Sequence, residues 1–83
     1  MIRLLYFASL REALDCEGED YPLEAPITTA ELRAQLAMRG QPWSDALALS
    51  QSVLAAVNQS IASADAIIKP GDEVAFFPPV TGG

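Results

Sequence analysis

The residues best suited to chemistry in this chain are its last six, Pro78-Pro79-Val80-Thr81-Gly82-Gly83, which follow the apolar run Val74-Ala75-Phe76-Phe77. They present a main-chain carboxylate. Such a group, with an ordinary pKa of about 3.5, is ionised at neutral pH and is a poor electrophile until it becomes a mixed anhydride, usually with AMP. The chain has no histidine and no glycine-rich phosphate loop, so activation is expected from another enzyme. Glycine at the end lets the backbone approach the walls of a partner's buried site closely. Two prolines fix φ and hold the segment extended. From Pro78 to Gly83 the reach is roughly 20 Å at about 3.3 Å per residue, enough to cross a partner's surface into a cleft. Ordering such a tail costs about 1 to 2 kcal/mol per residue in backbone freedom. The docking energy is therefore expected from the body of the protein, with the prolines lowering the cost.

Other candidate groups are weaker. Asp15, Glu17, Glu19 and Asp20 read as a solvated acidic cluster rather than a general acid/base pair or a metal site, and no metal is expected. Cys16 is the single cysteine. It excludes an internal disulfide, a cysteine-rich zinc site and a four-cysteine iron–sulfur cluster within one chain, and its acidic neighbours make it a poor nucleophile. A lone Trp43 reads as a plug for the core, and Asn58-Gln59-Ser60 as a turn rather than a glycosylation site.

The formal charge of −6, from 11 acidic and 5 basic residues, argues against nucleic acid and anionic membranes and favours a partner with a basic rim. The apolar start, Ile2 to Leu10, is interrupted at Ser9 and runs into Arg11-Glu12, so it reads as strand then helix rather than a signal peptide. No stretch is long enough to span a membrane, and a cytoplasmic location is expected.

The elements that must position the tail follow from pattern and punctuation. At 83 residues and 51% hydrophobic, the chain has room for one core, read as a body over 1–77 and a flexible tail over 78–83. Strands are expected over Ile2–Phe7, over an acidic and peripheral Glu17–Leu23, over Val53–Val57 and Ser60–Ala62 about an Asn58-Gln59 turn, and over a final run ending at Phe77. A short helical turn is expected over Ser9–Leu14. The main helix should start at Thr28, where Thr28-Thr29-Ala30-Glu31 forms a capping box and Ile27 can staple against Leu32. Gly40 and Pro42 end it. Leu32 and Leu36 share its buried face, leaving Glu31, Arg33 and Gln35 for water. Pro42 to Leu49 reads as a short helix or irregular turn. Pro70-Gly71 suits the centre of a type II turn into the last strand.

Strand parity sharpens the picture. Ile2, Leu4 and Tyr6 share one face of the first strand, Arg3, Leu5 and Phe7 the other, wetter one. If the first and last strands are adjacent and parallel, Phe7 and Phe77 join Ile61 in an exposed apolar patch at the root of the tail. Burying two such rings is worth roughly 3 to 6 kcal/mol before ordering costs.

Three segments carry a family resemblance: Leu4-Leu5-Tyr6-Phe7-Ala8 with Arg11-Glu12, Leu54-Ala55-Ala56-Val57-Asn58-Gln59, and above all Gly71-Asp72-Glu73-Val74-Ala75-Phe76-Phe77-Pro78-Pro79-Val80-Thr81-Gly82-Gly83. Together they closely resemble the small-subunit family of molybdopterin synthase. That resemblance implies an α+β, ubiquitin-like β-grasp fold, a mixed sheet of about five strands packed against one main helix. It implies that Gly83 is adenylated by an E1-like adenylyltransferase using ATP, converted to a thiocarboxylate by a sulfurtransferase, and threaded through Gly82, Thr81, Val80, Pro79 and Pro78 into the large subunit. There the sulfur would pass to cyclic pyranopterin monophosphate, with two small and two large subunits in the assembly and no permanently bound cofactor. Phe7, Ile61 and Phe77 match positions expected at the apolar contact with partners. Related readings are a carrier for thiazole synthesis, a ubiquitin-like protein modifier, or an interaction module whose Gly-Gly end is inert.

Overall fold

The computed structural model describes residues 1–79. Five strands form one mixed sheet: β1 (Ile2–Tyr6), β2 (Gly18–Tyr21), β4 (Leu54–Val57), β5 (Ser60–Ala62) and β7 (Glu73–Phe77), in the order β2-β1-β7-β4-β5. β1 and β7 run parallel at its centre, and every other neighbouring pair is antiparallel. Two residues each of β3 (Ile27–Thr28) and β6 (Ile67–Ile68) make a separate small ladder. The helices are α1 (Ala8–Leu14), α2 (Thr29–Ala37) and α3 (Trp43–Ala46).

Local chemistry accounts for the boundaries. The Thr28 hydroxyl accepts from the Glu31 amide at 3.1 Å while the Glu31 carboxylate accepts from the Thr28 amide at 2.9 Å. This reciprocal cap starts α2 where the sequence predicts. The helix's first free amides are also satisfied from the chain that follows β5: Thr29 donates to the Ala66 carbonyl and Ala30 to that of Ala64. Asn58 and Gln59 both take positive φ, as the tight β4–β5 hairpin requires. Gly71 has φ +93°, and the Asp72 amide closes the turn onto the Lys69 carbonyl, the geometry expected of Pro70-Gly71.

The core lies between the sheet and the helices. Ile2, Leu4, Tyr6, Val74, Phe76 and Ala55 supply the sheet side, and Leu10, Leu14, Leu32, Leu36 and Leu47 the helical side. Trp43 packs against this cluster, edge-on to Tyr6 with ring centroids 5.4 Å apart, which agrees with its reading as a plug.

Several expectations change. The first strand stops at Tyr6 and the second is shorter, Gly18–Tyr21. Leu23, placed in a peripheral strand, belongs to the buried core. Arg33 is half-buried rather than free in water. Its guanidinium donates to the carbonyls of Leu47, Ala48 and Gln51, tying the segment after α3 to α2, and desolvation there lowers its pKa. Finally, the β3–β6 ladder was not foreseen, because two-residue strands carry too little period-2 pattern to register.

Candidate functional site

The register of the sheet defines what its open face carries. Side chains alternate across a strand, so one cross-strand row on the side away from the core runs Gly18, Leu5, Ala75, Ala56, Ile61. Below it, Arg3 sits between Asp20 and Glu73. Above it, Phe77 lies opposite Leu54, and Phe7 continues β1, its amide donating to the Phe76 carbonyl at 3.2 Å. The open face thus grades from a charged row to an uncharged one, with Gly18, Ala75 and Ala56 small and Leu5 and Ile61 large, and then to Phe7, Phe77 and Leu54, which with Ile61 make an apolar rim.

Glycine at the edge of the small row has a steric cause. A Cβ on Gly18 would stand 2.6 Å from the Leu4 carbonyl oxygen and 3.1 Å from Leu5 Cδ2, so β2 can pass this close to β1 only without a side chain there.

The buried parts of α1 and α2 join the core on the other face of the sheet, and the apolar rim stays in water. Phe7 is 45% exposed, Leu54 40% and Ile61 71%, and Phe77 is half-buried. Phe7, Ile61 and Phe77, the three apolar residues singled out from the sequence, therefore share one uncovered face. Leu54 completes the rim and was missed. The signal was present: counting back in twos from the Asn58-Gln59 turn places Ala56 and Leu54 on the side of Phe77. A contiguous exposed apolar surface of this kind marks a contact site.

The tail begins where this rim ends. β7 finishes at Phe77, and Pro78 and Pro79 follow outside any strand, half-buried. Pro78 also lines a crevice of about 380 Å³ with Ser9, Leu10 and Ala13 of α1, Asp45 of α3 and Pro42 just before it. Val80, Thr81, Gly82 and Gly83 lie outside the described residues.

The acidic segment divides between the two faces. Asp20 is on the open side, 3.5 Å from the Arg3 guanidinium. Glu19 points to the helical side and is no solvated carboxylate. It accepts two hydrogen bonds from Arg39, at 2.8 and 2.9 Å, and one from the Tyr6 hydroxyl at 3.0 Å. Arg39 lies over the Trp43 ring at 4.5 Å. Its hydrogen bonds hold the Glu19 carboxyl below the usual carboxylate range, while burial first and Glu19 second push the Tyr6 hydroxyl well above its ordinary value. Among the described residues no group of three or more His, Cys, Asp or Glu is placed to hold a metal ion, and no helix is long and apolar enough to cross a membrane.

A five-stranded mixed sheet with parallel central strands, crossed by one main helix and joined to a Gly-Gly tail, defines a ubiquitin-like β-grasp protein. Residues 4–83 match the ThiS family, and the chain belongs to it. It is 45% identical to the molybdopterin synthase sulfur carrier subunit of Escherichia coli (strain K12), with the whole of both chains covered. Among solved structures, small archaeal modifier protein 1 of Haloferax volcanii shares the fold at a TM-score of 0.74 and 20% identity, over 95% of this chain and 97% of that one. A protein–protein complex of subunits 1 and 2 of molybdopterin-converting factor from Helicobacter pylori contains a chain alike at a TM-score of 0.65 and 23% identity, over 99% and 97%.

Proposed function

We propose that this chain is the sulfur carrier subunit of a molybdopterin synthase, with the main-chain carboxylate of Gly83 as the group that bears the cargo. The observation that carries the reading is the full-length likeness to carriers of that name, together with a family match that runs through Gly83 itself. The chemistry needs a partner at each stage. An E1-like adenylyltransferase joins the carboxylate to the AMP of ATP with release of pyrophosphate. A sulfurtransferase then supplies sulfur, AMP leaves, and the terminus becomes a thiocarboxylate. In the large subunit that sulfur passes to cyclic pyranopterin monophosphate. No cofactor stays bound to the carrier, and the work takes place in the cytoplasm.

In this reading the two regions have separate tasks. The open face, with Phe7, Leu54, Ile61 and Phe77, docks on the large subunit and supplies the binding energy, while Pro78 to Gly83 thread into its active site. A likeness in fold to a chain of the Helicobacter pylori complex supports a large-subunit partner, and a 2:2 assembly is proposed with it. Incubation with ATP, the activating enzyme and a sulfur donor should replace one terminal oxygen by sulfur in the intact mass. An unchanged mass with enzymes active on another carrier sinks the reading. Deleting Gly83 should leave complex formation intact and abolish sulfur delivery, whereas an inert interaction module would lose nothing.

A further inference from the structure

Two consecutive residues at the end of β7 belong to two different surfaces. Phe77 lies in the apolar rim of the open face, and Pro78 lines the crevice of about 380 Å³ on the helical side. A protein that draws in the tail therefore meets both. The walls of the crevice are apolar: Leu10 and Ala13 from α1, Pro42 before α3, Val53 before β4, and Pro78 itself. Leu10 is buried, whereas Ala13, Pro42 and Asp45 are exposed, so the crevice opens to solvent.

Asp45 is the one charged side chain in this lining. Among the described residues the ion pairs join Arg3 to Asp20 and Arg39 to Glu19, so no cation of the chain is paired with Asp45 there. Arg11 of the adjoining helix is not part of the lining. An exposed carboxylate among apolar walls complements a side chain that buries an aliphatic stem and keeps a cation at the surface, which describes arginine and lysine. The chain's own end group is a carboxylate and has the wrong sign for Asp45. A second copy, with its formal charge of −6, is repelled as a whole.

We propose that the large subunit places an arginine or lysine side chain in this crevice, with the stem against Leu10, Ala13, Val53 and Pro78 and the cation on Asp45. The inference rests on the carrier reading above and extends it, because the partner then grips the root of the tail from both sides of the sheet. The apolar rim supplies burial, and the charge pair fixes the orientation in which the tail is presented.

The test is a titration of the full chain with the purified large subunit at low and at high salt. Asp45→Asn, which removes the charge and keeps the shape, should weaken binding about three- to tenfold, and Asp45→Lys more than about thirtyfold. Both losses should shrink at high salt, since the carboxylate is exposed and screening acts on such pairs. Ala13→Phe fills the crevice at constant charge and should weaken binding more than about tenfold, by a factor that salt leaves alone. Glu24→Lys is the control, with the same change in net charge as Asp45→Lys. It lies at the far pole, exposed and next to Leu23, whose carbonyl faces the Met1 amino group at 3.5 Å, and should weaken binding less than about threefold. Thermal unfolding establishes that each variant is folded; should Ala13→Phe fail to fold, the two variants of exposed Asp45 decide alone. Equal losses in Asp45→Lys and Glu24→Lys, or an Asp45→Asn that binds as the wild type does, overturn the inference and leave the carrier reading intact. Self-association of the wild type that Asp45→Lys abolishes, with large-subunit binding unchanged, gives the crevice to a second copy and overturns the inference as well. Failure of the wild type itself to bind the large subunit overturns the carrier reading and the inference with it.

Discussion

The two faces of the sheet use the same strands and residue classes to opposite ends. On the helical side, Leu4, Tyr6, Val74 and Phe76 are buried, Tyr6 and Phe76 being stacked with centroids 6.5 Å apart. On the open side, the intervening residues Leu5, Phe7, Ala75 and Phe77 face water or are half-buried. Alternate positions of one strand thus hold the fold together and leave an uncovered surface, the one the proposed function assigns to a partner. A one-residue slip in register would exchange the two roles. Recognition is therefore built from positions whose loss the fold can survive.

That contrast can be broken by mutation. Phe76→Ala should destabilise the protein by about 3 to 5 kcal/mol, since it empties a site at the centre of the core, measured by denaturant unfolding. Phe77→Ala, one residue on, should cost under about 1 kcal/mol of stability yet weaken binding to the large subunit by roughly 10- to 100-fold, about 1.4 to 2.8 kcal/mol. A suitable control for a titration is Met38→Ala, since Met38 is 86% exposed on the helical side of the chain. Leu23→Ala would be a poor one, because Leu23 is buried and its truncation perturbs the fold. Equal effects of Phe77→Ala and Met38→Ala on binding would remove the open face from the interface.

How much of this was legible in the sequence depended on how local the cause was. The capping box at Thr28 and Glu31, the Asn58-Gln59 hairpin and the Pro70-Gly71 turn are set by residues within four of one another, and each appears where its signature stands. Strand parity gave the two faces of β1 and β7, because period 2 survives in five-residue strands. What escaped depended on partners distant in sequence. Arg33 reaches carbonyls 14 to 18 residues away, Glu19 meets Arg39 across 20, and no short-range pattern encodes either. Gly18 falls within the expected second strand, but the need for a missing side chain shows only once β1 is beside it. Leu54 follows from the same parity, counted back from the Asn58-Gln59 turn.

The two faces also carry an ion pair each, and these sharpen the comparison at its smallest scale. Arg3 and Asp20 meet at 3.5 Å with side chains 50% and 66% exposed. Such a pair contributes little, and Asp20→Asn should change stability by less than about 0.5 kcal/mol. Glu19 and Arg39 form a two-point contact, shorter and further enclosed by Trp43 and Tyr6, for which about 1 kcal/mol is expected after allowing for solvent screening. Its dependence on pH has a definite sign. The folded-state pKa of Glu19 is lowered, chiefly by Arg39, so the unfolded chain binds the proton more readily. The contribution is complete above the ordinary carboxylate range, about 4.3, and is lost as pH falls through the lowered folded value. Thermal unfolding from about pH 6 down to about pH 3 should therefore show a stability difference between wild type and Glu19→Gln that shrinks on acidification. A difference that stays constant, or grows, would mean that Glu19 acts by packing alone and that the helical-side pair is electrostatically no different from the one on the open face.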